Sequence, residues 1–99
     1  MATIEIHRTH ALPVETLKKK VDEMSGTLDA QYAVKGHWQG EEMVLEGSGM
    51  SRGVKGRIKI DATTVLIEID LPLLLRAMKG SIEQSITRKL DKVLANPSS

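Results

Sequence analysis

V-K-G-R-I-K-I-D-A-T-T-V-L-I-E-I-D-L, residues 54–71, alternates apolar and polar positions in two blocks on either side of a polar turn. That period of two is the signature of a half-buried antiparallel hairpin. Val54, Gly56, Ile58 and Ile60 share one face of the first block, and Val65, Ile67, Ile69 and Leu71 share one face of the second. Pairing Ile60 with Val65 across the turn sets Ile58 opposite Ile67 and Gly56 opposite Ile69. The same register puts Arg57 against Glu68 and Lys55 against Asp70 on the outer face. A slip of one residue would turn a whole apolar row to water, so the register is strongly specified.

The segments before the hairpin extend it. Residues 2–8 alternate with Ile4 and Ile6 inward, which predicts a first strand. Pro13 suits a helix start, and Val14, Leu17, Val21, Met24 and Leu28 then recur at three- and four-residue steps as one apolar stripe. Gly26 lies inside that helix and is expected to fray or bend its last turn. Residues 33–39 predict a second strand with Val34, Gly36 and Trp38 inward. After a turn at 39–42, residues 43–47 return with Met43 and Leu45 inward. Gly47, Gly49 and Gly53 bracket a loop leading into the hairpin.

After Leu71 the period changes. Pro72 opens a second helix whose stripe is Leu74 or Leu75, then Met78, Ile82, Ile86, Leu90 and Val93. Gly80 marks a kink or a close backbone approach within it. The expected order is β-α-β-β-β-β-α in a single domain spanning 1–99. It is an α+β two-layer sandwich: a five-stranded, mainly antiparallel sheet with two helices packed on one face. The other face is left unusually polar, with Glu5, His7, His37, Glu46, Lys55, Arg57, Lys59, Glu68 and Asp70.

Composition narrows the function classes. A net charge of +1 with only Tyr32 and Trp38 as aromatics argues against a nucleic-acid partner. The absence of cysteine excludes disulfides, thiolate metal sites and a cysteine nucleophile, and fits a cytoplasmic location. No leader pattern and no apolar run near ~18 residues is visible, so neither secretion nor membrane spanning is expected. His7, His10 and His37 have no metal-ligand spacing, and Ser48, Ser51, Ser81 and Ser85 lack a nucleophile elbow. G-S-G-M-S-R-G at 47–53 lies between two strands with no helix after it, which favours a hairpin loop over a phosphate cradle. No catalytic, cofactor-binding or metal site is expected.

Two features stand above that background. Lys55, Arg57 and Lys59 form a basic row, for which local pairing with Glu68 and Asp70 is favoured over a phosphate track. L-P-L-L-L at 71–75 holds more leucine than one helical stripe needs. Leu73 is either covered by the sheet, the reading slightly favoured, or part of a partner surface. The candidate interaction surface is Leu73, Leu74 and Met78, serving self-association as a homodimer or docking on another body.

I-x-I-H-R-x-H-x-L at 4–12, Trp38 followed by Gly40, G-V-x-G-R-I at 53–58 and L-x-x-L-L-x-x-x-K-G-x-I-E at 71–83 together resemble the polyhydroxyalkanoic acid system family of small bacterial proteins. The resemblance runs from Thr3 to about Leu94. It implies a non-enzymatic accessory that binds or regulates polyhydroxyalkanoate storage granules, with the granule surface or granule proteins as partners. It supplies no catalytic residue. The alternative is a small-ligand binder or enzyme of reduced helix-grip type, with a pocket between sheet and helices. The nearly all-aliphatic inward rows favour a dry core instead.

Overall fold

The central hairpin pairs Lys55–Ile60 (β4) with Thr64–Asp70 (β5), setting Ile58 opposite Ile67, Gly56 opposite Ile69 and Arg57 opposite Glu68. This is the register that the apolar alternation dictates. In the computed structural model, which describes residues 3–95, the remaining strands are Ile4–Thr9 (β1), Val34–Gln39 (β2) and Glu42–Gly47 (β3). The sheet order is β1-β5-β4-β3-β2, and every neighbouring pair is antiparallel. The first strand therefore joins the β5 edge, and β1 and β2 run in the same direction at opposite edges.

That separation explains the long first helix, Val14–Tyr32 (α1). Five strands place the two edges roughly 19 Å apart, and 19 helical residues extend about 28 Å. The helix can therefore carry the chain back across the sheet in one pass. Leu17, Val21, Met24, Ser25 and Leu28 form its buried side. Gly26 does not interrupt it: the helix continues unbroken to Tyr32, and a Cβ at Gly26 would meet nothing within 4 Å. Across from α1, a Cβ at Gly36 would lie 2.5 Å from Ser25 Oγ and 2.7 Å from Met43 Sδ. The small Ser25–Gly36 pair lets helix and edge strand approach closely. Trp38 then packs beside it, its Nε1 donating to Asp22 at 3.3 Å while the Lys18 ammonium sits 5.0 Å from its ring centre.

The second helix differs from the continuous stripe expected of it. It is divided into a single turn, Leu73–Arg76 (α2), and a long segment, Lys79–Ala95 (α3). The break falls at Ala77 and Met78, and Gly80 lies in α3's first turn with open space around it. Two backbone bonds set the break: Met78 N donates to Leu75 O at 3.0 Å, and Ile82 N donates to Met78 O at 3.0 Å. The first closes a tight turn and the second starts α3. As a result Met78 turns outward, while Leu75, Ile82, Ile86, Leu90 and Val93 keep the inward stripe.

The core lies between the helices and one face of the sheet. Ile4, Leu17, Met43, Ile58, Ile67, Leu90, Val21 and Val65 are its most deeply buried side chains. An ion pair between Arg8 and Asp91, at 2.9 Å, ties β1 to α3 at the surface. Such half-exposed pairs are worth about 0–1 kcal/mol, so apolar burial dominates the packing of α3.

Candidate functional site

The L-P-L-L-L segment is fixed at its start by Pro72, which fits the proline-compatible backbone before α2. Pro72 packs against Gly53, whose φ of +96° and close approach suit a residue without a side chain. Leu75 N donates to Pro72 O at 2.9 Å, and Arg76 Nε donates to Leu71 O at 3.2 Å. Leu71 is buried and Leu75 half-buried, four residues apart on the inward side. A single turn has no second inward side, so Leu73 and Leu74 project into solvent at 79% and 90% exposure. Coverage of Leu73 by the sheet is thus ruled out by the geometry of a one-turn helix. Met78 is 54% exposed at the break, and Met50, in the short turn Gly49–Ser51 (within the same loop as Gly53), is 81% exposed.

With its core neighbours elsewhere, Leu73 contributes little to folding. Leu73→Glu is expected to shift stability by no more than about 0.5 kcal/mol. Urea titration followed by circular dichroism checks this; unfolding of the variant would place Leu73 in the core.

The loop between β3 and β4 has a structural task that the glycine pattern alone does not reveal. Ala33 closes α1 in the left-handed conformation, with its N–H donating to Asp29 O at 3.0 Å. The carbonyls left over at the helix end are met by loop serines. Ser48 donates to Ala33 O through both its backbone N–H (2.8 Å) and its Oγ (3.2 Å), and Ser51 Oγ donates to Tyr32 O. The G-S-G-M-S-R-G segment is therefore a C-terminal cap for α1.

The histidines separate. His7 Nε2 lies 3.4 Å from Glu5 Oε1, and His37 Nε2 lies 3.4 Å from Gln39 Nε2. His10 bridges two segments: its Nδ1 accepts from Leu12 N at 3.2 Å, and its Nε2 faces Asp61 O at 2.8 Å. Both bonds are satisfied by the neutral ring with the proton on Nε2. Among the described residues, no three His, Asp or Glu side chains converge on a point where a metal would sit. His10→Ala is expected to cost about 1 kcal/mol through the lost bridge, against no more than about 0.5 kcal/mol for His7→Ala or His37→Ala. Comparing the three urea midpoints tests this, and equal midpoints would remove the structural role of His10.

The open face of the sheet carries charge in alternating rows. Lys35, Glu46, Lys55 and Asp70 stand side by side across four strands. Arg57 lies 3.6 Å from Glu42 and 3.9 Å from Glu68, and Lys59 lies 4.0 Å from Glu68. The basic row is thus interleaved with carboxylates, which disfavours a polyanion there.

Between the helices and the sheet lies a small apolar cavity of about 60 Å³, lined by Leu28, Val34, Leu45, Leu75, Ile82 and Ile86 among others. Leu75 and Ile82 flank the break at Met78, the residue that a continuous helix would have turned toward this space. Tyr32 and Ser51 also reach it. Its lining is the aliphatic set that the inward rows lead one to expect, and a gap walled this way is dry. Beside Tyr32, its hydroxyl and Ser85 Oγ share a hydrogen bond at 3.1 Å, and Lys89 Nζ donates to Ser85 Oγ at 3.4 Å. The same ammonium lies 5.9 Å from the Tyr32 ring centre. Sequence reasoning missed this cluster because Tyr32 and Ser85 are 53 residues apart. The one local signal is the four-residue spacing of Ser85 and Lys89 on a helix.

No helix among the described residues is long and apolar enough to cross a membrane. No curated protein and no solved structure gives a significant match to the chain. A family model described as "Putative polyhydroxyalkanoic acid system protein" matches residues 4–94, from the first core isoleucine of β1 to the last turn of α3. With that match spanning nearly all of the sheet-and-helix framework, the chain belongs to the polyhydroxyalkanoic acid system protein family.

Proposed function

We propose that this protein is a non-enzymatic accessory of polyester storage, acting in the cytoplasm, which docks on polyhydroxyalkanoate granules through the apolar end formed by Leu73, Leu74 and Met78. The observation that carries this reading is the exposure of Leu73 and Leu74 on a one-turn helix whose inward side is already occupied, with Met78 exposed in the break that follows it. Clustered large apolar groups in water mark surfaces that another body covers. A polyester granule offers an apolar surface of that kind, and family membership supplies the link to polyester storage. Met50 is a further exposed apolar side chain, in the loop whose Gly53 lies against Pro72.

The reading is tested by pull-down from bacteria grown with and without polyester accumulation, using wild type and Leu73→Glu/Leu74→Glu as baits. Granule material captured by wild type, only from accumulating cells and not by the variant, is the expected outcome. Equal capture by both baits would remove the leucine surface from the function. A dimer seen by light scattering, with no granule capture, would reassign the surface to a second copy of the chain.

A further inference from the structure

We infer that the cavity beneath α2 is a binding site for a short aliphatic carboxylate, with the chain in the cavity and the carboxylate held by Lys89, Ser85 and Tyr32. The inference is independent of granule docking, which uses the outer side of α2. The cavity walls are almost wholly apolar, supplied by Leu28 of α1, Val34 and Leu45 of the sheet, Leu75 of α2, and Ile82 and Ile86 of α3. Ser51, the one buried polar side chain there, already donates to Tyr32 O. The interior therefore suits a hydrocarbon chain and has no unpaired donor to offer a polar group.

The polar end is supplied by neighbouring residues. Tyr32 lines the cavity while its hydroxyl bonds to Ser85, which precedes the lining residue Ile86 on α3 and faces the outer surface beside Lys89. Lys89 brings a positive charge to that hydroxyl pair through its bond to Ser85 Oγ. No carboxylate among the described residues forms an ion pair with Lys89. An ammonium and a hydroxyl pair next to Tyr32 match a carboxylate bearing a short tail: the ammonium donates a charge-assisted bond, and the one hydroxyl proton not used within the pair is donated to the second oxygen. The same arrangement repels an amine. The modest volume limits the tail to a few carbons.

The test is a two-dimensional amide NMR titration of the full chain with sodium acetate, butyrate and hexanoate, and with hexylamine as the charge-inverted probe. Affinity is expected to rise about fourfold per added methylene until the cavity is full, with the largest shifts at Tyr32, Ile82, Ile86 and Lys89. Hexylamine is expected to leave those signals in place. Lys89→Ala is expected to weaken hexanoate at least about tenfold, and Ile82→Phe to block it while circular dichroism shows the fold retained. Ser85→Ala provides a second test of the polar end, with a smaller loss. Equal shifts with hexylamine and hexanoate, undiminished binding by Lys89→Ala, or no shift at Tyr32 and Ile86 up to the solubility limit of hexanoate would each overturn the inference.

Discussion

Ile58→Ala is expected to remove about 2–5 kcal/mol of folding stability, and Ile67→Ala a similar amount. The two residues face each other in the central strand pair and are 0% and 1% exposed. Each truncation loses apolar burial and leaves a hole that a sheet fixed by strands on both sides cannot collapse to fill. A domain of this size has about 5–15 kcal/mol in total, so either variant should show a large fall in urea midpoint. Their effects should not simply add, because the side chains occupy one shared space. A loss below about 1 kcal/mol at both positions would mean that the isoleucines do not face the core.

Gly47→Ala is expected to destabilise by roughly 2–4 kcal/mol, from overpacking together with lost hydrogen bonds. A Cβ at Gly47 would fall on the Ser51 carbonyl, 2.8 Å from its carbon and 2.9 Å from Val54 Cβ. Backbone cannot rotate aside as a long side chain can, so the loop must move. Its movement would pull Ser48 and Ser51 from the carbonyls of Ala33 and Tyr32 and leave the end of α1 uncapped. Gly26→Ala is the opposite case, since its site is open and helical. That change is expected to stabilise by about 0.5–1 kcal/mol. Urea denaturation of both variants checks the pair of signs. A neutral Gly47→Ala would show that the loop does not grip the helix end.

Most of the framework was legible because it rests on local periodicity. Alternation around Ile58 and Ile67 determined the hairpin register, and three- and four-residue steps from Leu17 to Leu28 determined the buried side of α1. The same logic failed from Leu73 to Gly80. There one helical turn, a break and a new helix have the composition of a continuous helix, and the break depends on backbone bonds that periodicity does not encode. Periodicity alone turns Met78 inward for that reason, whereas the break leaves it about half exposed. Gly80 suggests a kink because glycine breaks helices, but its site in the first turn of α3 is open. The Tyr32–Ser85–Lys89 cluster and the capping role of Ser51 depend on contacts between distant parts of the chain. No local pattern announces such contacts.

Direct binding to polyester is measured by co-sedimentation of purified protein with isolated polyhydroxyalkanoate granules, run beside granules stripped of their proteins. Wild type is expected to pellet with both preparations, and Leu73→Glu/Leu74→Glu to remain in the supernatant with its circular dichroism unchanged. Pelleting with native granules alone would identify a granule protein, not the polyester, as the partner. Wild-type protein that stays in the supernatant with both preparations would contradict granule docking through the leucine surface.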